Sequence, residues 1–173
     1  SNINYHPEPL LLIVIRNLYT YCHPERSRRI LKPNIMKEEI QKALEVLRSG
    51  GIILYPTDTV WGIGCDATDP EAVAKVYAIK KREDSKSLVL LASDMDMICR
   101  YVKEIPEMAI QLVEVNDKPM TIIYPDAIAG EKGCMKADRR ALAFNTVAED
   151  GTVGIRIPMM DFCQQLVAKL GRP

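Results

Sequence analysis

Ile52-Ile53-Leu54-Tyr55-Pro56-Thr57-Asp58-Thr59-Val60-Trp61-Gly62-Ile63-Gly64-Cys65 is the stretch on which the fold turns. Residues 52–55 form a short apolar run of strand length, stopped by Pro56. Thr57-Asp58-Thr59 reads as a polar loop. The two glycines of residues 60–65 mark an extended segment that passes close to something. Helices flank this unit. Ile40, Ala43, Leu44 and Leu47 keep helical spacing after Met36, and Gly50-Gly51 ends that helix. Asp69-Pro70-Glu71 opens the next, with Asp as N-cap and Pro at the first helical position. Val73, Val76, Tyr77 and Lys80 then share one face.

The same alternation continues downstream. Residues 88–91, 120–124, 141–144 and 153–157 read as strands, the last two around an Asp150-Gly151 turn. Ser93 or Asp94 caps a short helix to about Tyr101, Pro106 opens one to about Val115, and residues 161–170 form a final helix ended by Gly171. Residues 126–140 are rich in Gly, Ala and charge and read as a surface loop. Strands interleaved with helices predict an α/β sheet with mixed connections.

A chain of 173 residues is one domain's worth and long enough to bury a core. Hydrophobic residues at 47% and charged residues at 27% match a soluble globular protein. Lys and Arg number 23, as do Asp and Glu, which disfavours a generally basic nucleic-acid binder but leaves room for a local basic patch. Cys22, Cys65, Cys99, Cys134 and Cys163 are widely spaced, with no C-x-x-C, so they read as idle thiols of a reducing cytosol rather than a zinc or disulfide framework. The only histidines are His6 and His23. From Met36 onward, histidine-based triads and His-rich metal sites are therefore excluded. Chemistry there must run on Lys, Arg, Asp, Glu, Ser, Thr, Tyr and backbone groups, a set suited to phosphate-bearing substrates.

Residues 1–35 contain four prolines and lack a sustained period, so they are expected to be a non-native or disordered extension, with the domain at 36–173. The alternative is a basic arm in which Arg26, Arg28, Arg29 and Lys32 touch RNA phosphates. The apolar run at 10–15 is too short to span a bilayer, and no Lys or Arg precedes it as in a signal peptide. A cytoplasmic protein without a membrane partner is expected.

Three constellations can carry chemistry. Tyr55-Pro56-Thr57-Asp58-Thr59 puts hydroxyls and a carboxylate at a strand end, where open α/β sheets bind ligands, although such residues also satisfy turns. Lys80-Lys81-Arg82-Glu83-Asp84-Ser85-Lys86 concentrates cations where a helix gives way to a strand. That suits a triphosphate or an RNA backbone, or else a solvated helix end. In Thr152-Val153-Gly154-Ile155-Arg156, the polar residues alternate with apolar ones, so Thr152, Gly154 and Arg156 share one face. An arginine in mid-strand needs a carboxylate from the protein or a ligand, unless the strand lies at a solvent-facing edge.

These segments, together with Lys118-Pro119-Met120-Thr121, resemble in order and spacing the YrdC-like family of threonylcarbamoyl-AMP synthases. The resemblance runs from about Ile40 to Pro173. It implies a twisted mixed α/β sheet with helices on its faces and a concave basic surface. It implies condensation of L-threonine, bicarbonate or CO2, and ATP (with Mg2+) to threonylcarbamoyl-AMP and pyrophosphate. A separate transfer complex would then pass the threonylcarbamoyl group to tRNA. By position, Thr59 and Arg156 match threonine-contacting residues, and Lys80, Arg82, Lys86 and Thr152 match the ATP site. No residue matches a catalytic acid or base, and none a metal ligand. Some members carry a histidine where this chain has Leu91. The family continues past the equivalent of Pro173 into a Ser-x-Asn strand, so a C-terminally truncated form is expected.

Two other functions remain open from the sequence. One is a double-stranded RNA or tRNA-binding module of the same fold, held through phosphates without adenylylation. Residues 36–173 carry 18 of the 23 basic and 21 of the 23 acidic residues, a net of −3, so such binding would need a local patch. The other is a related carbamoyl-adenylating domain acting on a different acceptor.

Overall fold

The computed structural model describes residues 12–14, 33–81 and 88–173. In chain order these form β1 (Leu12–Val14), α1 (Pro33–Arg48), β2 (Ile52–Pro56), β3 (Trp61–Gly64), α2 (Pro70–Lys80), β4 (Val89–Leu91), α3 (Met95–Cys99), α4 (Glu107–Val115), β5 (Ile122–Tyr124), a 3-10 turn (Phe144–Thr146), β6 (Val153–Arg156) and α5 (Asp161–Leu170). The mixed α/β architecture is as the sequence predicts. Its strands fall into two three-stranded sheets, ordered β1-β2-β3 and β4-β6-β5.

In the first sheet, β2 lies between a parallel β1 and an antiparallel β3. Leu12 pairs with Ile52 and Val14 with Leu54. Leu12–Val14 adds this strand, and α1 starts at Pro33, ahead of Met36. The physical reason is local. An apolar, β-branched run of strand length can satisfy the open backbone edge of β2, and Pro33 is well suited to a first helical turn.

In the second sheet, β6 is central, parallel to β4 and antiparallel to β5. Val153 and Ile155 are buried while Gly154 and Arg156 are half-buried on the other face, the two-residue alternation the sequence shows. Behind this sheet, Ile155, Tyr124 and Leu90 pack with Met97, Ile98 and Tyr101 from α3 and its exit. A second cluster joins Ile40, Leu44 and Leu47 of α1 to Phe162, Leu166 and Leu170 of α5 and Ile53 of β2.

Helix ends follow the residues that cap them. The Asp69 carboxylate accepts from the Glu71 and Ala72 N–H groups ahead of Pro70. Asp94, not Ser93, caps α3 through the Met97 N–H at 2.8 Å. Gly171 closes α5 with φ 79°. The expected strand at 141–144 is not formed. Leu142 makes a lone parallel bridge to Ala129, the Ala143 N–H binds the Ala67 carbonyl, and the chain enters the 3-10 turn. Thr146 decides this locally, because its hydroxyl donates to the Ala143 carbonyl at 2.7 Å and tightens the backbone into a turn.

The end of α5 is fastened to the loop after β3. Arg172 forms a buried ion pair with Asp66, whose other oxygen accepts from both the N–H and the hydroxyl of Thr68. The Ala67 N–H donates to the Pro173 carbonyl. Removing one partner of a buried pair strands the other charge away from water. Arg172→Ala is accordingly expected to lower the unfolding free energy by about 3 kcal/mol, read from urea unfolding; wild-type stability would contradict this.

Candidate functional site

The β2–β3 hairpin begins the site. Tyr55 pairs with Gly62 and Pro56 with Trp61. A Cβ on Gly64 would lie 2.7 Å from Tyr55 Cε1, and one on Gly62 would lie 3.4 Å from Tyr55 Cζ. The extended segment thus passes close to the Tyr55 ring, which needs glycine at position 64. Burial, reinforced by the neighbouring Cys163 and Cys65 thiols, pushes the Tyr55 phenol well above its ordinary value. It stays protonated at neutral pH. Cys65 is pushed up to about 12, first by burial and then by the Asp66 carboxylate.

The loop between these strands is built around Thr57. Its hydroxyl donates to the Val60 carbonyl at 2.6 Å and accepts from the Thr59 and Val60 N–H groups. This is a local turn motif, and it holds Thr59 exposed at the rim. Asp58 ties the same loop across the molecule by accepting from the Met159 N–H at 3.3 Å, just beyond β6. The turn reading of this segment is realised by Thr57, and Thr59 is left exposed beside it.

Arg156 closes the opposite side. Its Nε donates to Thr121 Oγ1 at 3.0 Å, and its Nη1 reaches Thr59 Oγ1 at 3.5 Å. Among the described residues it makes no ion pair. Leu91 lies beside it in the parallel register of β4 and β6. Thr59, Lys80 and Arg156 all line one cavity of about 340 Å3, with Tyr55 and Leu91 also on its wall. Arg156, the last residue of the central strand β6, is therefore not at a sheet edge and pairs with no carboxylate among the described residues; it lines a hollow.

Thr152 lies elsewhere. Its hydroxyl donates to Asp150 Oδ1 at 2.7 Å and its N–H to the same oxygen at 3.0 Å, within a turn that the Asp150 carboxylate closes. It is not among the residues lining the cavity. Arg82 and Lys86 lie outside the described residues. Thr121 was not singled out as a candidate side chain, although it stands in the Lys118–Thr121 motif. The signal that finds it is register: Ile122 pairs with Ile155, so one step further Thr121 stands opposite Arg156. Among the described residues no group of three or more His, Cys, Asp or Glu could hold a metal ion.

A mixed α/β fold thus carries a half-buried arginine on the wall of a cavity, hydrogen-bonded to the hydroxyls of Thr59 and Thr121. A family model covering Sua5, YciO and YrdC proteins, described as "Telomere recombination", matches residues 45–173. The chain belongs to this family.

Its relatives agree. A threonylcarbamoyl-AMP synthase of Halorhodospira halophila is 33% identical over 94 residues, covering 54% of this chain and 49% of that protein. The uncharacterized protein YciO of Escherichia coli is 28% identical over 157 residues, covering 90% and 66%. The crystal structure of P. abyssi Sua5 complexed with L-threonine superposes with a TM-score of 0.65 at 25% identity, over 79% of this chain and 37% of that one. The aligned region of this chain thus spans about half the length, or less, of the synthases it matches.

Two measurements check the site's construction. Gly64→Ala should displace the Tyr55 ring and cost about 1–3 kcal/mol, seen as a lower Tm; an unchanged Tm would contradict the packing. With an alkylating reagent at pH 8, exposed Cys99 should react at least about a hundredfold faster than half-buried Cys65, whose thiol is pushed up. The thiolate is the reactive form and is scarcer where the pKa is raised. Equal peptide-level rates by mass spectrometry would contradict the raised pKa of Cys65.

Proposed function

We propose that this chain makes threonylcarbamoyl-AMP and pyrophosphate from L-threonine, bicarbonate or CO2, and ATP, the activity for which its synthase relatives are named. The observation that carries the reading is Arg156, a half-buried cation at a cavity with hydroxyls beside it and no ion pair among the described residues. Such a group is stabilised by an incoming carboxylate, and an amino acid supplies one. Thr59 stands 3.5 Å from it, ready to share the same ligand.

The residues present are suited to holding and aligning reactants rather than to moving protons. Arg156 would fix the threonine carboxylate and so point its amine into the cavity. The amine nitrogen bonds to the carbon of CO2, or of bicarbonate with loss of water, to give a carbamate. A carbamate oxygen then attacks the α-phosphorus of ATP and the bond to pyrophosphate breaks. Alignment of this kind converts a multi-body encounter into a near-unimolecular one. Lys80, on the cavity wall, would offset charge growing on the departing pyrophosphate. Arg82 and Lys86 are assigned to the same triphosphate from the sequence resemblance. Mg2+ would come with the triphosphate, held mainly by its oxygens and water.

The product would pass to a threonylcarbamoyl-transfer complex acting on tRNA. A cytoplasmic setting fits this chemistry, and among the described residues no helix is long and apolar enough to cross a membrane.

The test is mass-spectrometric detection of threonylcarbamoyl-AMP after incubation with ATP, Mg2+, bicarbonate and L-threonine. A threonine-dependent product is expected, and its absence would contradict the proposal. Arg156→Ala should raise KM for threonine by at least about tenfold, the scale of a lost charge-assisted hydrogen bond. Lys86→Ala should weaken ATP use instead.

A further inference from the structure

We infer that Thr121 is a positioning residue that fixes which edge of the Arg156 guanidinium meets the substrate; the inference rests on the substrate reading above and deepens it. A guanidinium can grip a carboxylate in two ways, side-on through Nε and one Nη, or end-on through both Nη groups. A free arginine on a strand can rotate between them. Here the choice is made before any ligand arrives. Arg156 Nε already donates to Thr121 Oγ1 at 3.0 Å, while Nη1 lies at the 3.5 Å limit from Thr59 Oγ1. The side-on edge is occupied and the end-on edge remains.

The backbone enforces this contact. β5 and β6 are antiparallel with Ile122 opposite Ile155, which sets Thr121 directly across from Arg156 on the same face. Gly154 lies on the same face, where a Cβ would meet Thr121 Cγ2 at 3.5 Å, an ordinary van der Waals contact. On the other flank, the register places Leu91 beside Arg156. Leucine offers no acceptor, so it cannot hold the guanidinium in place of Thr121. The residues across this row of the sheet therefore give the arginine one lateral hydrogen-bond partner and one apolar neighbour.

A threonine hydroxyl is well suited to the task. It accepts from Nε without neutralising the cation, whereas a carboxylate at position 121 would compete with the substrate for the charge. Thr121 would thus hold the orientation and leave the charge available.

The experiment compares wild type, Thr121→Val and Thr121→Ser in the full chain. The Arg156 Nε–H signal is identified by NMR from its loss in Arg156→Lys. Without ligand, that proton should exchange slowly in wild type and in Thr121→Ser, and rapidly in Thr121→Val, which keeps the shape but removes the acceptor. In steady-state assays, Thr121→Val should raise KM for threonine by about tenfold, equivalent to about 1.4 kcal/mol, with KM for ATP unchanged. Thr121→Ser should restore the wild-type value. A Thr121→Val protein with a protected Nε–H and unaltered threonine KM overturns the inference. Failure of wild type to bind or use threonine overturns the substrate reading instead, and the ligand-free exchange data still decide whether Thr121 orients Arg156.

Discussion

The pairing of β6 on both of its edges is the constraint from which the site follows. β4 and β5 satisfy its backbone, and Val153 and Ile155 bury their side chains against the helices behind. Strand geometry then leaves no choice for the residues between them. Gly154 and Arg156 must turn to the opposite face. A cation cannot be sunk there without a partner at acceptable cost. The fold meets this with hydroxyls, which hydrogen-bond the guanidinium and leave its charge uncompensated, and with an open cavity in front. The buried core of the sheet and the placement of Arg156 at the cavity are thus two results of one alternating strand.

The other wall of the cavity obeys a steric rule. Tyr55 is large and half-buried, and it lies across a strand that must approach it closely. Gly64 makes that approach possible, since any side chain there would collide with the ring. The hairpin loop that follows is stiffened by Thr57 within and by Asp58 reaching to Met159 without. The Asp58 contact joins the first sheet's hairpin to the segment leaving β6, and so ties the Thr59 side of the cavity to the Arg156 side. The Asp66–Arg172 pair fastens the base of the same hairpin to the end of α5.

Much of this was legible in the sequence, for definable reasons. The Asp69-Pro70 helix start, the Gly171 stop and the alternation through residues 152–156 are local signals whose physics does not depend on the rest of the fold. The alternation placed Arg156 on the face opposite Val153 and Ile155, and the glycines at 62 and 64 marked a close approach. What could not be read locally was partnership. The neighbour met by the glycines is Tyr55, and the neighbour of Arg156 is Thr121, set by strand register rather than by spacing along the chain. The strand expected at 141–144 failed because a side-chain hydroxyl at Thr146 tightened the backbone into a turn. Leu12–Val14 joined β2 because pairing satisfies an open edge, something that composition does not report. Thr152 was placed on the right face of its strand, but Asp150 holds its hydroxyl in the turn.

The central claim is that Arg156 faces the cavity to receive a carboxylate. It is tested most directly by NMR titration of the protein with L-threonine and, in parallel, with L-threoninol, which has the same side chain and amine but no carboxylate. The account predicts that L-threonine shifts the backbone signals of Thr59, Thr121 and Arg156 in a saturable way and that L-threoninol leaves them in place. Equal shifts with both ligands, or shifts confined to residues away from the cavity, would contradict it.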